Sequence, residues 1–328
     1  MRFVILGAGA TGGFLGARLA RAAEDVTLVA RGPHLEAMRA NGVRVIGAGD
    51  DFTAYPACTD DLSVVGRADA VFVTVKAHAL VDLAPRVGAL LGPDTAVVTA
   101  QNGIPWWYFD GLDHNDRNTL AGTRLHSADP GGVIAASIET RRVLGCVVYP
   151  ATQLLAPGII QHLEGTRFSI GELDGSRTPR CEAIAAALIR AGLKCPIRTR
   201  IRHDLWLKLL GNVAFNPISA LTRATLVEIA THPATRAVAR AVMEEADSVA
   251  RALGVKLDIG VDQRLAGAEQ VGAHKTSMLQ DVEIGRPLEV EALLGTVVEI
   301  GALLGMELPH LRVVYACTQL LDVTLRRS

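Results

Sequence analysis

Lys208, Asn212 and Asn216 fall four residues apart within the largely apolar stretch LWLKLLGNVAFNPISA, Leu205 to Ala220. On a helix of 3.6 residues per turn this spacing stacks them on one face, each a turn above the last. An ammonium donates protons and steadies negative charge, while a carboxamide donates and accepts hydrogen bonds without adding charge. Such a row serves proton-transfer chemistry, or it is merely a solvated face, the commoner fate of a helical lysine. Pro217 lacks an N–H and disfavours helical geometry at Asn216, so a kink is expected there. Asn216 is then also a candidate to satisfy the backbone that a kink exposes.

Other residues offer complementary chemistry. VILGAGATGG places Gly7, Gly9 and Gly12 in a G-x-G-x-x-G pattern, with Ala8, Ala10 and Thr11 between them. The pattern follows an apolar strand directly and opens a helix, the context in which it binds a dinucleotide. Gly7 permits the turn, Gly9 lets the backbone approach a pyrophosphate, and Gly12 allows close helix–strand packing. At the end of the next strand, LVARG puts Arg31 where NAD sites usually carry an acid. A guanidinium there suits a 2′-phosphate and favours NADP, although a surface arginine after a strand is the competing reading. Lys76 and Asn102 each follow an apolar strand immediately, at the edge where open α/β sheets bind ligands. Asn102-Gly103 is equally an ordinary turn pair, and Lys76 an ordinary solvated charge. In HKTSMLQDVEIGRPLEVEALLG, Ser277 closes one helical segment and Glu289 falls in the first turn of another, where an acid also suits the helix dipole.

The elements that must position these groups divide the chain in two. RFVILGAG, DVTLVAR, DAVFVTVK and TAVVTAQNG read as buried strands alternating with helices, which implies parallel strands with right-handed crossovers. GIIQHLEGTRFSIGEL reads as a hairpin turning near Gly165, TPRCEAIAAALIRAG as a capped helix, and KCPIRTR as a last strand. Beyond residue 200, helical segments are expected at Leu205–Leu221, Ala234–Leu253, Val261–Leu279, Leu288–Leu304 and Leu308–Leu325. The expected fold is α/β: a doubly wound, mostly parallel Rossmann-type domain over residues 1–199, then an all-α domain over 200–328. The stretch from Pro105 to Arg142, aromatic in PWWYF and polar in DGLDHNDRN, is a long insertion of the kind that is often functional.

Composition narrows the partners. The 33 basic and 34 acidic residues leave a net charge of −1, so there is no basic field for nucleic acid and no polybasic segment for a membrane. No window approaches 18 uninterrupted apolar residues, and the run in MRFVIL ends at Gly7, short of a signal-peptide core. Five cysteines without CxxC spacing argue against a disulfide framework and for the reducing cytoplasm. No metal-ligand cluster is evident.

GAGATGG, LVARG, TVKAH, QNG, LWLKLLGNVAFNPISA and TSMLQD…GRPLEVE, in this order, resemble the characteristic segments of the ketopantoate reductases (2-dehydropantoate 2-reductases) across nearly the whole chain. The lysine-plus-two-asparagine helix joined to SMLQD is the specific part; the glycine loop alone is not. The resemblance implies an NADPH-dependent oxidoreductase that reduces 2-dehydropantoate to (R)-pantoate for pantothenate and coenzyme A, in a cleft between two domains. It implies Lys208 as general acid, Asn212, Asn216 and Ser277 as substrate ligands, and Asn102 as a residue touching both cofactor and substrate. The cofactor would further be held by the 7–12 loop, Arg31, Lys76, the backbone of Ala151, and Glu289. Thr225 and His274 depart from asparagines frequent in the family, and Trp106–Trp107 is placed to reshape the pocket or make a dimer contact. Two alternatives follow: a reductase of another branched or aromatic 2-keto acid, and a catalytically silent NADPH sensor, which would not need a proton donor.

Overall fold

Runs such as FVIL and AVFV carry no polar alternation, so both of their faces must be covered. The computed structural model, which describes residues 1–112 and 120–327, covers them with helices. The chain begins β1 (Arg2–Leu6), α1 (Ala10–Arg21), β2 (Asp25–Val29) and α2 (Gly32–Asn41). It continues with β3 (Val43–Gly47), β4 (Asp50–Ala54), β5 (Ala57–Thr59), β6 (Ala68–Val73), α3 (Ala77–Val87) and β7 (Leu91–Thr99). Later come α4 (Val133–Ser137), β8 (Val143–Val148), β9 (Ala151–Ala156), β10 (Ile159–Glu164), β11 (Phe168–Glu172) and α5 (Pro179–Arg190). Seven strands form one sheet in the order β11-β8-β7-β6-β1-β2-β5, parallel except for the β11–β8 pair.

Two expectations change here. The turn at Gly165 does not join a hairpin, because β10 and β11 belong to different sheets. β10 instead pairs antiparallel with β9, turning at Pro157–Gly158, and parallel with β3, which makes a second, four-stranded sheet ordered β4-β3-β10-β9. KCPIRTR supplies only two isolated bridges, Arg167 to Lys194 and Ile170 to Ile197. The second sheet packs on α1: a Cβ on Gly13 would strike Ile160, and a Cβ on Gly16 would strike Leu28 of the main sheet. Between them Asp50 accepts from Arg18 and lies 2.9 Å from the Nδ1 of His162, whose Nε2 donates to the Gly165 carbonyl at 2.6 Å.

The remaining elements are helical: α6 (Ile201–Thr222), α7 (Leu226–Thr231), α8 (Pro233–Ala252), α9 (Val261–Val271) and α10 (Ser277–Glu283). A π-helical turn (Glu291–Gly295), α11 (Thr296–Leu303) and α12 (Pro309–Leu325) complete them. Val261–Leu279, expected as one helix, is two. Gly272 ends α9 with a φ of +78°, and Thr276 caps the next helix by accepting from the Leu279 N–H at 3.1 Å. Ser277 therefore opens a helix rather than closing one. No helix among the described residues is long and apolar enough to cross a membrane.

The chain separates into two compact units, and the division is not a single cut. Met1–Gln101 with Gly132–Ile201 form the first; Asn102–Gly131 with Arg202–Ser328 form the second. The one boundary drawn at 199/200 thus leaves out the passage of residues 102–131 into the helical unit. Buried aromatics explain the passage. Trp106, Trp107, Tyr108 and Phe109 are at most 3% exposed, and Trp206 of α6 donates to the Tyr108 hydroxyl at 2.7 Å. Arg202 donates to the carbonyls of Tyr108 and Asp110 at 2.7 and 2.6 Å, and the Glu299 carboxylate takes the N–H groups of His126 and Ser127. Full burial of each large ring is worth roughly 1.5–3 kcal/mol. A tryptophan this buried has no surface to offer a second subunit, so Trp106–Trp107 is core rather than a dimer contact. Residues 113–119, within the polar part of this insertion, lie outside the described residues.

Candidate active site

In the first unit the glycine loop is shaped by its own contacts. Gly7 has a φ of +106°, and a Cβ there would collide with Val75; a Cβ on Gly12 would collide with the Gly7 carbonyl and Thr74. Thr74 donates its hydroxyl to the Gly7 carbonyl at 2.8 Å, fixing the turn against the end of β6. At Gly9, by contrast, a Cβ would meet no protein atom within 4 Å. That open side is where a ligand's phosphate would approach. α1 starts at Ala10 with no side-chain cap and no acid in its first turn. Helix geometry leaves the amides of Ala10, Thr11 and Gly12 without intrahelical acceptors, so the helix end suits an anion. The loop fits a dinucleotide pyrophosphate.

Three expected cofactor residues gather around this loop. Arg31 is exposed and forms the N-cap position of α2, just beyond β2. Lys76 is half-buried at the N-cap of α3, next to Val75, whose N–H donates to the Leu6 carbonyl at 3.0 Å. Ala151 begins β9, and its neighbour Thr152 places its hydroxyl 3.3 Å from that of Thr11. Gln101 was not singled out by the sequence, yet its side chain donates to the Val75 carbonyl at 2.9 Å and holds the Lys76 turn.

In the second unit the expected residues come together more tightly. Lys208, half-buried on α6, donates to the Asn102 carboxamide oxygen at 2.8 Å. The Asn102 amide nitrogen in turn donates to Glu289 at 3.3 Å, giving an ammonium–carboxamide–carboxylate chain. Asn212 is half-buried and Asn216 is buried one and two turns further along the same helix. α6 runs through Pro217 to Thr222, and Asn216 does not spend its amide nitrogen on the backbone there: this Nδ2 is buried with no hydrogen-bond partner. An orphaned buried donor costs about 1–3 kcal/mol, which a bound acceptor would recover. Ser277 is exposed at the first position of α10, away from any helix interior.

A close backbone approach places Asn102. The π turn leaves the Ala292 carbonyl to accept from the Ile104 N–H at 3.1 Å and from the Thr296 hydroxyl at 2.9 Å. Gly103, with a φ of +85°, packs so tightly over this carbonyl that no side chain fits. The Asn-Gly pair is therefore a docking point and not merely a turn. The departures at Thr225 and His274 also have local explanations. Thr225 forms a capping box with Glu228, and the adjacent Leu226 N–H donates to the His274 carbonyl at 3.0 Å.

Fold and site define a class: a Rossmann-type sheet unit with an uncapped glycine loop, and a helical unit bearing a lysine within a carboxamide–carboxylate chain. A family model described as ketopantoate reductase PanE/ApbA matches residues 3–175, and one described as ketopantoate reductase PanE/ApbA C terminal matches residues 200–322. A 2-dehydropantoate 2-reductase of Mesorhizobium japonicum is 48% identical over 324 residues, covering 98% of each chain. A solved chain from Ralstonia solanacearum superposes with a TM-score of 0.93 at 41% identity, covering 99% of this chain and 98% of that one. A PanE/ApbA family ketopantoate reductase from Ralstonia eutropha does so with a TM-score of 0.84 at 29% identity, covering 99% and 100%. The chain belongs to the ketopantoate reductase family and is an oxidoreductase.

Proposed function

We propose that this enzyme reduces 2-dehydropantoate to (R)-pantoate with NADPH, acting in the cytoplasm. The observation that carries the reading is Lys208 donating to Asn102 at 2.8 Å, on the helix face that also presents the orphaned amide of Asn216. NADPH, when bound, supplies a hydride to the ketone carbon. Charge then grows on the ketone oxygen; the Lys208 ammonium stabilises it and transfers a proton to it, leaving an amine that water reprotonates. The carboxamide of Asn102 links the ammonium to Glu289, accepting from the one and donating to the other, and holds Lys208 in register. Asn216 and Asn212 donate to the substrate's carboxylate or hydroxyl, with Ser277 as a further ligand.

For the cofactor, the amides of Ala10, Thr11 and Gly12 would receive the pyrophosphate, with Gly7, Ala8 and Gly9 shaping the approach. Arg31 would clamp the 2′-phosphate, Lys76 and Ala151 would line the same edge, and Glu289 would reach the ribose. Five cysteines, an odd number without CxxC spacing, fit the reducing compartment. Steady-state assays by NADPH absorbance against a panel of 2-keto acids, including branched and aromatic ones, test the substrate. The highest kcat/KM is expected for 2-dehydropantoate, and a larger value for an aromatic acid would replace it. Arg31→Asp tests the cofactor: NADPH should weaken far more than NADH, whereas equal loss would remove the phosphate clamp.

A further inference from the structure

We propose that His34 is a positioning residue for the glycine loop, acting as a neutral Nε2–H imidazole that ties the loop to the β9–β10 turn and lets go when protonated. The inference rests on the reading of the 7–12 loop as the dinucleotide site. His34 sits in the first turn of α2, three residues after Arg31, and is half-buried. Its Nε2 lies 2.7 Å from the Ala8 carbonyl, and its Nδ1 lies 3.0 Å from the Gly158 N–H. A carbonyl only accepts and a backbone N–H only donates, so Nε2 must carry the proton and Nδ1 must not. A second proton on the ring would set two donors against each other at Gly158.

What His34 holds is the part of the loop that a phosphate needs fixed. The Ala8 N–H already donates to the Val29 carbonyl at 2.8 Å, so His34 secures the other side of the same residue. That orients the Ala8–Gly9 peptide at the open face. Because His34 and Arg31 share the start of α2, the tie also sets the distance from the pyrophosphate loop to the guanidinium proposed for the 2′-phosphate. On the far side, Gly158 is buried with a φ of +78° and its carbonyl accepts from the Arg44 N–H at 2.9 Å. The tie therefore anchors the loop to the second sheet rather than to a loose turn.

Charged groups stand on the elements beside His34. Its own helix carries Arg31, Glu36 and Arg39, the last directed to the Cys58 carbonyl and Asp60. β3 carries Arg44, paired with Asp51 at 3.2 Å. The two segments that the ring bridges, residues 7–10 and 156–159, contain no titratable side chain. Cofactor binding that requires the neutral ring is present at high pH and fades on acidification as the ring takes a second proton.

The test measures NADP+ dissociation constants for the wild type, His34→Gln and His34→Leu between about pH 8 and about pH 5.5, spanning the histidine range. Glutamine can still donate to Ala8 but does not titrate; leucine does neither. Comparing proteins with the same ligand cancels the titration of the 2′-phosphate itself. His34→Leu should bind about tenfold more weakly at high pH, as expected for one lost hydrogen bond and a loosened loop. KM for NADPH should rise more than kcat falls. The wild type should lose affinity on acidification several-fold more than His34→Gln, and ¹⁵N imidazole spectra should report an unprotonated Nδ1. The same acid loss in His34→Gln, or an Nδ1–H tautomer, overturns the proposal even if the leucine variant fails to fold. Gly9→Val separates the two readings. If it binds NADP+ like the wild type, the dinucleotide site is elsewhere; if it loses binding while the His34 variants keep theirs, only the role of His34 falls.

Discussion

The Nζ of Lys208 lies 2.8 Å from the Oδ1 of Asn102, although 106 residues separate them in the chain. The contact lies within the helical unit, because residues 102–131 fold there. Lys208→Ala should lower kcat by about 10²–10⁴, the usual worth of a positioned general acid, while NADP+ still binds. Asn102→Ala should lower kcat about tenfold by letting Lys208 turn toward Glu289, a loss of the size of one positioning hydrogen bond. Stopped-flow reduction with pre-bound NADPH checks both, and wild-type turnover in Lys208→Ala would end its role as acid.

Asn216→Leu separates stability from function. Its amide nitrogen is buried without a partner, so an apolar side chain of similar size should raise stability by about 1 kcal/mol. The same change should raise KM for the keto acid about tenfold or more, because a buried donor is lost to the substrate. Thermal melts and initial rates measure the two effects; unchanged KM would show that Asn216 does not meet substrate.

Gly103→Ala should destabilise the protein by about 1–3 kcal/mol from its left-handed backbone alone, and by more from the Ala292 carbonyl beneath it. Gly111→Ala is the control, since its φ is +66° but nothing lies within 4 Å of the added carbon. If chemical denaturation finds the two variants equally stable, the docking of Gly103 on the π turn contributes nothing.

Thiol chemistry offers a check on the fold. Burial pushes the Cys58 and Cys181 thiols up to about 11 and the Cys195 thiol up to about 12, so none is a thiolate near neutrality. Cys146 is fully buried, and Cys317 alone is exposed on α12. Native protein should show a single fast-reacting thiol with Ellman's reagent, lost in Cys317→Ser, and the other four only on unfolding.

The strands that carry the main sheet were legible because both of their faces are buried, which leaves unbroken apolar runs in β1, β6 and β7. β3 and β4 were not, since VRVIG and DDFTA cover only one face of α1 and read as mixed sequence. The row of Lys208, Asn212 and Asn216 was visible in its spacing, and Glu289 in its place after the Gly285–Pro287 turn. The ties made by Gln101 and His34 left no trace, because each acts on a backbone group that any residue possesses. The passage of residues 102–131 into the helical unit depends on Trp206 meeting Tyr108, a pairing across 98 positions that no local pattern announces.

That passage has a consequence for how the enzyme can be taken apart. The polypeptide crosses from one unit to the other after Gln101, back after Gly131, and over again after Ile201. A fragment starting at Arg202 would carry Lys208 but lack Asn102 and the aromatic plug over Trp206, and should aggregate when expressed alone. A graft of new substrate preference onto this scaffold must therefore move two stretches together, and recombination at a lone crossover near residue 200 should yield chimaeras that fold poorly and turn over nothing.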